Sequence, residues 1–176
     1  MKLAGAAIFV LIAFALQGCA CSARLKPLET VKTVDLNRYI GTWYEIARMP
    51  FWAENNCAGV TATYSIKANG DIEVLNRCRD TRKTGKISEA RGTAKVVDAV
   101  TNSKLKVTFF WPFYGAYWII QLDPSYQWAV VGEPGRKYLW ILSRTPQMDS
   151  KQLKVIVEKA ASQGYDTSRL VYGDQP

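Results

Sequence analysis

Apolar and polar positions alternate along most of the chain after residue 40. Alternation with a period of two marks a strand with one buried face. It recurs at close spacing over residues 41–48, 58–66, 71–79, 86–97, 103–110, 116–122, 127–132 and 137–144. In KLKVTFF, for example, Leu105, Val107 and Phe109 share one face while Lys104, Lys106 and Thr108 share the other. Turn chemistry separates several of these segments, in ANGD, WPFYG, DPS and EPGR. Eight strands with short connections suit an antiparallel up-and-down meander, and eight strands close into a barrel wide enough for one small ligand. The pattern changes in MDSKQLKVIVEKAASQG, where Leu153, Ile156, Val157 and Ala160 repeat at helical spacing. Asp149 with Gln152 resembles a capping box, and Gly164 stands where a C-terminal cap belongs. Such an amphipathic helix has only the outer barrel wall to bury its stripe against, with Trp128 and Val130 as candidate receivers. DLNRYIG predicts a short helical turn before the first strand, and TSRLVY a short last strand. The expected fold class is all-β: an eight-stranded antiparallel barrel with one C-terminal helix packed outside, in a single domain over residues 34–176.

The stretch GTWYEIAR does not read as an ordinary core strand. Strict alternation puts Trp43, Glu45 and Ala47 on one face and Tyr44, Ile46 and Arg48 on the other. Neither face is cleanly apolar or polar. A strand bordering a cavity tolerates a Glu beside a Trp better than one in a solid core.

Residues 1–18, MKLAGAAIFVLIAFALQG, place one Lys before an apolar run of 14 residues from Leu3 to Leu16. That is short for a membrane span and suits a secretory signal. Leu16, Gly18 and Cys19 resemble the lipobox of bacterial lipoproteins, in which cleavage leaves the Cys as an acylated N-terminus. More than one acyl chain makes a lasting anchor. Ala20 follows Cys19 in place of an Asp, and by the same resemblance that favours the outer membrane, facing the periplasm. Residues 19–33 then read as an acylated N-terminus and tether. An exported chain sits in an oxidising compartment, which favours disulfides. Cys57 and Cys78 flank one predicted hairpin and are the expected bridge, with Cys57–Cys21 as the alternative.

Composition narrows the function. The chain has 176 residues with 23 basic and 15 acidic, a formal charge of +8. That balance favours anionic surfaces or ligands, but the basic residues are scattered and no nucleic-acid motif is present. There is no His, which removes Ser-His and Cys-His catalysis and argues against zinc. No cofactor or metal is expected, and no spacing of carboxylates suggests an enzyme. FFWPFYGAYW holds seven aromatics. It reads either as packing or as a lip touching ligand, membrane or a second copy in a homodimer, and the sequence leaves open which rim carries it.

GTWYEIAR, DPSYQWA and LWILSRTP together resemble the three ordered motifs of the lipocalin family, over about Asp35 to Tyr172. The resemblance implies a floor in which Gly41 precedes Trp43 and Arg144 lies across the Trp43 ring. It favours inward sets of Val60, Ala62 and Tyr64; Ile72, Val74 and Asn76; Leu105, Val107 and Phe109; Tyr117, Ile119 and Gln121; and Tyr138, Trp140 and Leu142. The implied cavity lining is Glu45, Ala47, Tyr64, Val74, Asn76, Leu105, Val107, Phe109, Tyr117, Ile119, Val131, Tyr138 and Trp140. A family of this kind implies a binding protein for a small amphipathic ligand, a fatty acid or lysophospholipid. The basic surface and an inward Glu45, which disfavours a carboxylate deep inside, suggest the tail inside and the headgroup near the mouth. The alternatives are a structural envelope lipoprotein with a filled barrel, or a lipid-modifying enzyme.

Overall fold

A computed structural model describes residues 25–82 and 86–175. The signal segment, Cys19 and Cys21 lie outside the described residues. The chain opens with α1 (Leu36–Tyr39), capped by the Asp35 carboxylate accepting from the Asn37 amide. Eight strands follow: β1 (Gly41–Arg48), β2 (Cys57–Ile66), β3 (Ile72–Asp80), β4 (Ile87–Val96), β5 (Lys104–Phe110), β6 (Phe113–Leu122), β7 (Trp128–Gly132) and β8 (Leu139–Ser143). Each pairs antiparallel with the next, and β1 pairs with both β8 and β2, so the barrel closes. Helix α2 (Ser150–Ser162) and a two-residue strand β9 (Val171–Tyr172) complete the described chain. The strand boundaries fall within a few residues of the alternation in the sequence. The difference is greatest at β6, which runs up to Phe113 and pairs it with Phe110, leaving only Trp111 and Pro112 as the turn.

Two hydrophobic clusters divide the interior from the helix side. Inside the barrel lie Val34, Tyr39, Trp43, Ile72, Leu105, Ile119, Ala129 and Val131. Outside it, Ile156 and Ala160 of α2 pack on Ile46, Ala47, Ile120, Val130, Leu139 and Ile141, with Trp128 partly buried beside them. Burying one such Ile contributes about 2–3 kcal/mol, which fixes α2 on this wall. The Asp149 carboxylate accepts from the amides of Lys151 and Gln152 and starts the helix, and Gly164 at φ +95° ends it.

Two of the four strands beneath the helix, β1 and β6, carry a β-bulge, an extra residue that reverses the alternation beyond it. In β1, Glu45 lies opposite Leu142 but Ala47 lies opposite Ile141, so Ile46 and Ala47 both face the helix. The expectation that Ala47 lines the cavity is therefore corrected, and Arg48 turns inward in its place. In β6, Ile119 pairs with Val131 and Gln121 with Val130. Gln121, expected inside, points out and donates to the Ile156 carbonyl of α2 at 3.2 Å.

Above Tyr44, β1 parts from β2 and β9 takes its free edge, pairing Ala47 with Tyr172 and Arg48 with Val171. The Gln175 side-chain Nε2 then donates to the Glu45 carbonyl on β1 at 2.9 Å and the Val60 carbonyl on β2 at 2.8 Å. The chain's C-terminal segment thus bridges the seam. Part of the expected tether is also docked. Leu28 is buried beside α2, the Val31 amide donates to the Ile119 carbonyl, and the Lys26 carbonyl accepts from Arg136.

Candidate functional site

The barrel is closed at the end where β1 begins. Trp43 is fully buried, and its indole N–H donates to the Tyr39 carbonyl at 2.8 Å. The Arg144 guanidinium lies 3.7 Å from the centre of the Trp43 ring. Its N–H groups donate to the carbonyls of Arg38, Tyr39 and Ile40 at the C-terminus of α1, to Thr42, and to Tyr126. A helix C-terminus presents unpaired carbonyls and partial negative charge, and a guanidinium answers both. Gly41, at φ +97°, lets the chain leave α1 for β1 with Arg144 Nη1 close by. These three residues hold the floor together.

Above the floor three tyrosines span the interior. Tyr117 and Tyr39 share a hydrogen bond at 2.8 Å, and the Tyr117 hydroxyl donates to Tyr64 at 3.0 Å. Burial pushes the Tyr64 hydroxyl up to about 12 and holds Tyr39 and Tyr117 well above the usual phenol value. All three stay neutral and serve as a hydrogen-bonded shelf. Tyr39 was not singled out from sequence, since α1 gives no inward or outward parity.

On this shelf opens a cavity of about 510 Å³, within the range of about 300–1,000 Å³ that suits small ligands. The structure places Glu45, Tyr64, Val74, Asn76, Val107, Phe109, Tyr117, Tyr138 and Trp140 on its wall. Leu105, Ile119 and Val131 face inward as alternation required, but they lie in the packed core and not on the cavity surface. Parity gives the face of a residue and not its depth. The wall also includes Phe51, Trp52, Glu54, Val60, Ala62, Phe110, Phe113, Gly115, Ala116, Glu133 and Leu142. Val60, Ala62 and Leu142 were legible from alternation. Phe51, Trp52 and Glu54 come from the connection between β1 and β2, where no period tells which way a side chain points.

One polar cluster interrupts the apolar wall. The inward-turned Arg48 holds its Nε 3.2 Å from Glu45 Oε1 and 2.9 Å from Glu54 Oε2, and its Nη2 donates to the Glu54 carbonyl at 2.9 Å. Burial holds the Glu45 carboxyl well above its ordinary value, and the neighbouring Glu54 charge pushes the same way, against Arg48. Burial also raises Glu54, but hydrogen bonds from Glu45 and Trp140 and the charge of Arg48 oppose it. Glu45 therefore keeps its proton to higher pH than a free carboxyl, and the Arg48 guanidinium set between the two carboxyls offsets part of the cost of burying them.

The other end of the barrel is open and aromatic. Phe110 and Trp111 are each 81% exposed, and Trp52 and Phe113 each 78%. Phe110, Phe113 and Trp52 border the cavity, so the aromatic β5–β6 hairpin stands at the mouth, opposite Trp43. Cys57 and Cys78 are joined, with Cα atoms 5.3 Å apart, tying the mouth ends of β2 and β3 together. This settles the pairing against Cys57–Cys21. Among the described residues no cluster of His, Cys, Asp and Glu could hold a metal ion.

A cup of eight meandering strands, plugged by a Trp–Arg pair and open to a mostly apolar cavity, defines a class of small-ligand-binding barrels. Residues 34–175 match the lipocalin-like domain model, and the chain belongs to the lipocalin family. It is 39% identical over 170 residues to the outer membrane lipoprotein Blc of Vibrio cholerae, covering 96% of this chain and 98% of that one. It is 31% identical over 148 residues to apolipoprotein D of Macaca fascicularis, covering 80% and 77%. Among solved structures, insecticyanin of the tobacco hornworm Manduca sexta superposes with a TM-score of 0.68 at 21% identity, covering 87% of each chain, which attests the fold alone.

Proposed function

We propose that this chain binds and carries a single-chain amphipathic lipid, a fatty acid or lysophospholipid, at the cell envelope. The observation that carries the reading is the open cavity of about 510 Å³ with its aromatic and aliphatic wall. Burying sixteen methylenes is worth about 13 kcal/mol gross at about 0.8 kcal/mol each. Association costs of about 4–15 kcal/mol offset much of that, and a net near −8 kcal/mol corresponds to about micromolar binding. The acyl tail lies along Val74, Val107, Phe109 and Tyr117. The headgroup stays near the mouth, where it keeps its hydration, because a carboxylate taken down to the buried Glu45 and Glu54 would lose its water. The relatives named outer membrane lipoprotein support an acylated Cys19 anchored in that membrane, and in this reading the barrel faces the periplasm. The action is carriage and not catalysis: both described cysteines are joined to each other, which leaves no thiol nucleophile on the described wall. An unfilled cavity also counts against the structural, filled-barrel alternative.

Native mass spectrometry with lipid extraction, on protein purified from its own envelope, tests this. A fatty acid or lysophospholipid at near one per barrel is the expected result. A protein that arrives empty and takes up no fluorescent fatty acid would overturn the carrier reading.

A further inference from the structure

Four aromatic side chains at the mouth are nearly bare. Trp52, Phe110, Trp111 and Phe113 are each about four-fifths exposed. At 150–250 Å² per ring they present on the order of 600 Å² of apolar surface, at the upper end of the largest patch on an ordinary monomer. Ligand binding does not account for all of it, because Trp111 is absent from the cavity wall.

The docked N-terminal segment gives this rim a direction. From Val34, whose amide donates to Thr101 at the floor, the chain runs back past Leu28 to Lys26. The Lys26 carbonyl accepts from Arg136 Nη2 at 2.6 Å, in the β7–β8 connection on the mouth side, whose Glu133 borders the cavity. From the pair of Trp118 with Gly132, β6 climbs five more residues to Phe113, about 17 Å. Leu25 lies six residue steps after Cys19, a span of up to about 20 Å. Continued in the direction it already has, the segment brings Cys19 level with the aromatic tip. To bring it to the floor the segment would have to double back.

We infer that the barrel stands mouth-down on a lipid bilayer, with Trp52, Phe110, Trp111 and Phe113 in the interfacial layer. Trp favours that layer because its ring is apolar and its N–H is polar. The exposed Lys86 and Lys137 on the mouth-side connections suit anionic headgroups. A ligand would then pass between membrane and cavity without crossing water. This rests on the proposed acylation of Cys19 for its geometry, while the rim itself is on the surface whether or not Cys19 is acylated.

The test uses the full mature chain in vesicles of phosphatidylethanolamine and phosphatidylglycerol carrying brominated acyl chains. Quenching of tryptophan emission in the native chain, lost in W52F/W111F, is the expected result. The triple variant F110S/W111S/F113S should also reduce quenching of Trp52 while circular dichroism shows an unchanged barrel. An unquenched native chain, or equal quenching in W52F/W111F, would overturn the inference. So would cross-linking that joins two rims in a dimer without quenching, which would assign the surface to a second copy. If mass analysis finds Cys19 without lipid, the chain is added to the same vesicles and the same pattern is required. Fatty-acid uptake is measured separately on these proteins, so that intact quenching without uptake sinks only the carrier reading.

Discussion

Arg144 satisfies five backbone carbonyls and covers one indole face. No other side chain has that reach with that planarity. Truncation in Arg144→Ala should cost about 3 kcal/mol, given that bonds to a charged group contribute about 1.5–3 kcal/mol and a cation–π contact about 0.5–2 kcal/mol. Arg144→Lys should recover little, because an ammonium has neither the fork nor the flat face. Urea midpoints of the two variants check this, and a lysine variant as stable as the native chain would contradict it. Glu45 makes a pH-dependent contribution. Its folded carboxyl is raised above the unfolded value, so the folded state holds the proton longer. The stability it contributes is complete below the unfolded value, near 4.5, and falls as pH rises toward the folded value. Glu45→Gln should remove this decline, and the gap between the urea midpoints of native and variant protein should therefore change steadily with rising pH, in the variant's favour. At this scale Trp43, Arg144 and Glu45 were legible from a motif and from alternation. Arg48 and Ala47 were not, because a bulge has no period.

Among elements, the strands were the most legible, since the alternation in the sequence is the direct result of one face lying inward. The helix was equally plain, because its stripe and its caps agree. What could not be read was how elements meet. The C-terminal segment closes the seam between β1 and β2 by backbone and amide contacts that no side-chain pattern reports. Gly173 makes the approach possible: a Cβ there would lie 2.5 Å from the Glu45 carbonyl oxygen. Gly173→Ala should displace β9 and cost about 2 kcal/mol, seen as faster amide exchange at Ile46 to Arg48 and a lower urea midpoint. The Cys57–Cys78 bridge closes a loop of 21 residues between β2 and β3, for which loop entropy gives about 3 kcal/mol. Replacing both by Ala should lower stability by about that amount without changing the fold, as thermal unfolding and circular dichroism would show.

At the scale of the molecule, the cavity makes the sharpest claim. Gly115 is on its wall, and a Cβ there meets nothing within 4 Å. Gly115→Phe should fill the opening without straining the barrel. It should weaken fatty-acid uptake by about tenfold or more, which is about 1.4 kcal/mol, and leave the melting temperature close to that of the native chain. Uptake undiminished by the ring would place the ligand elsewhere. The overall architecture was readable because a meander with one helix has few ways to close. The depth of each lining residue was not, which is why Leu105, Ile119 and Val131 lie beneath the cavity while the aromatics of the connections border it.

The two bulges under α2 matter to anyone who would re-engineer this cup to hold a different guest. A library of randomised codons laid out on every second residue would begin correctly on β1 and then, past Glu45, spend its diversity on the helix-facing Ala47. Past Ile119 on β6 it would vary Gln121, a contact of the same helix. Moving the frame by one residue at Ile46 returns the variation to the interior, with Arg48 as the position to recode.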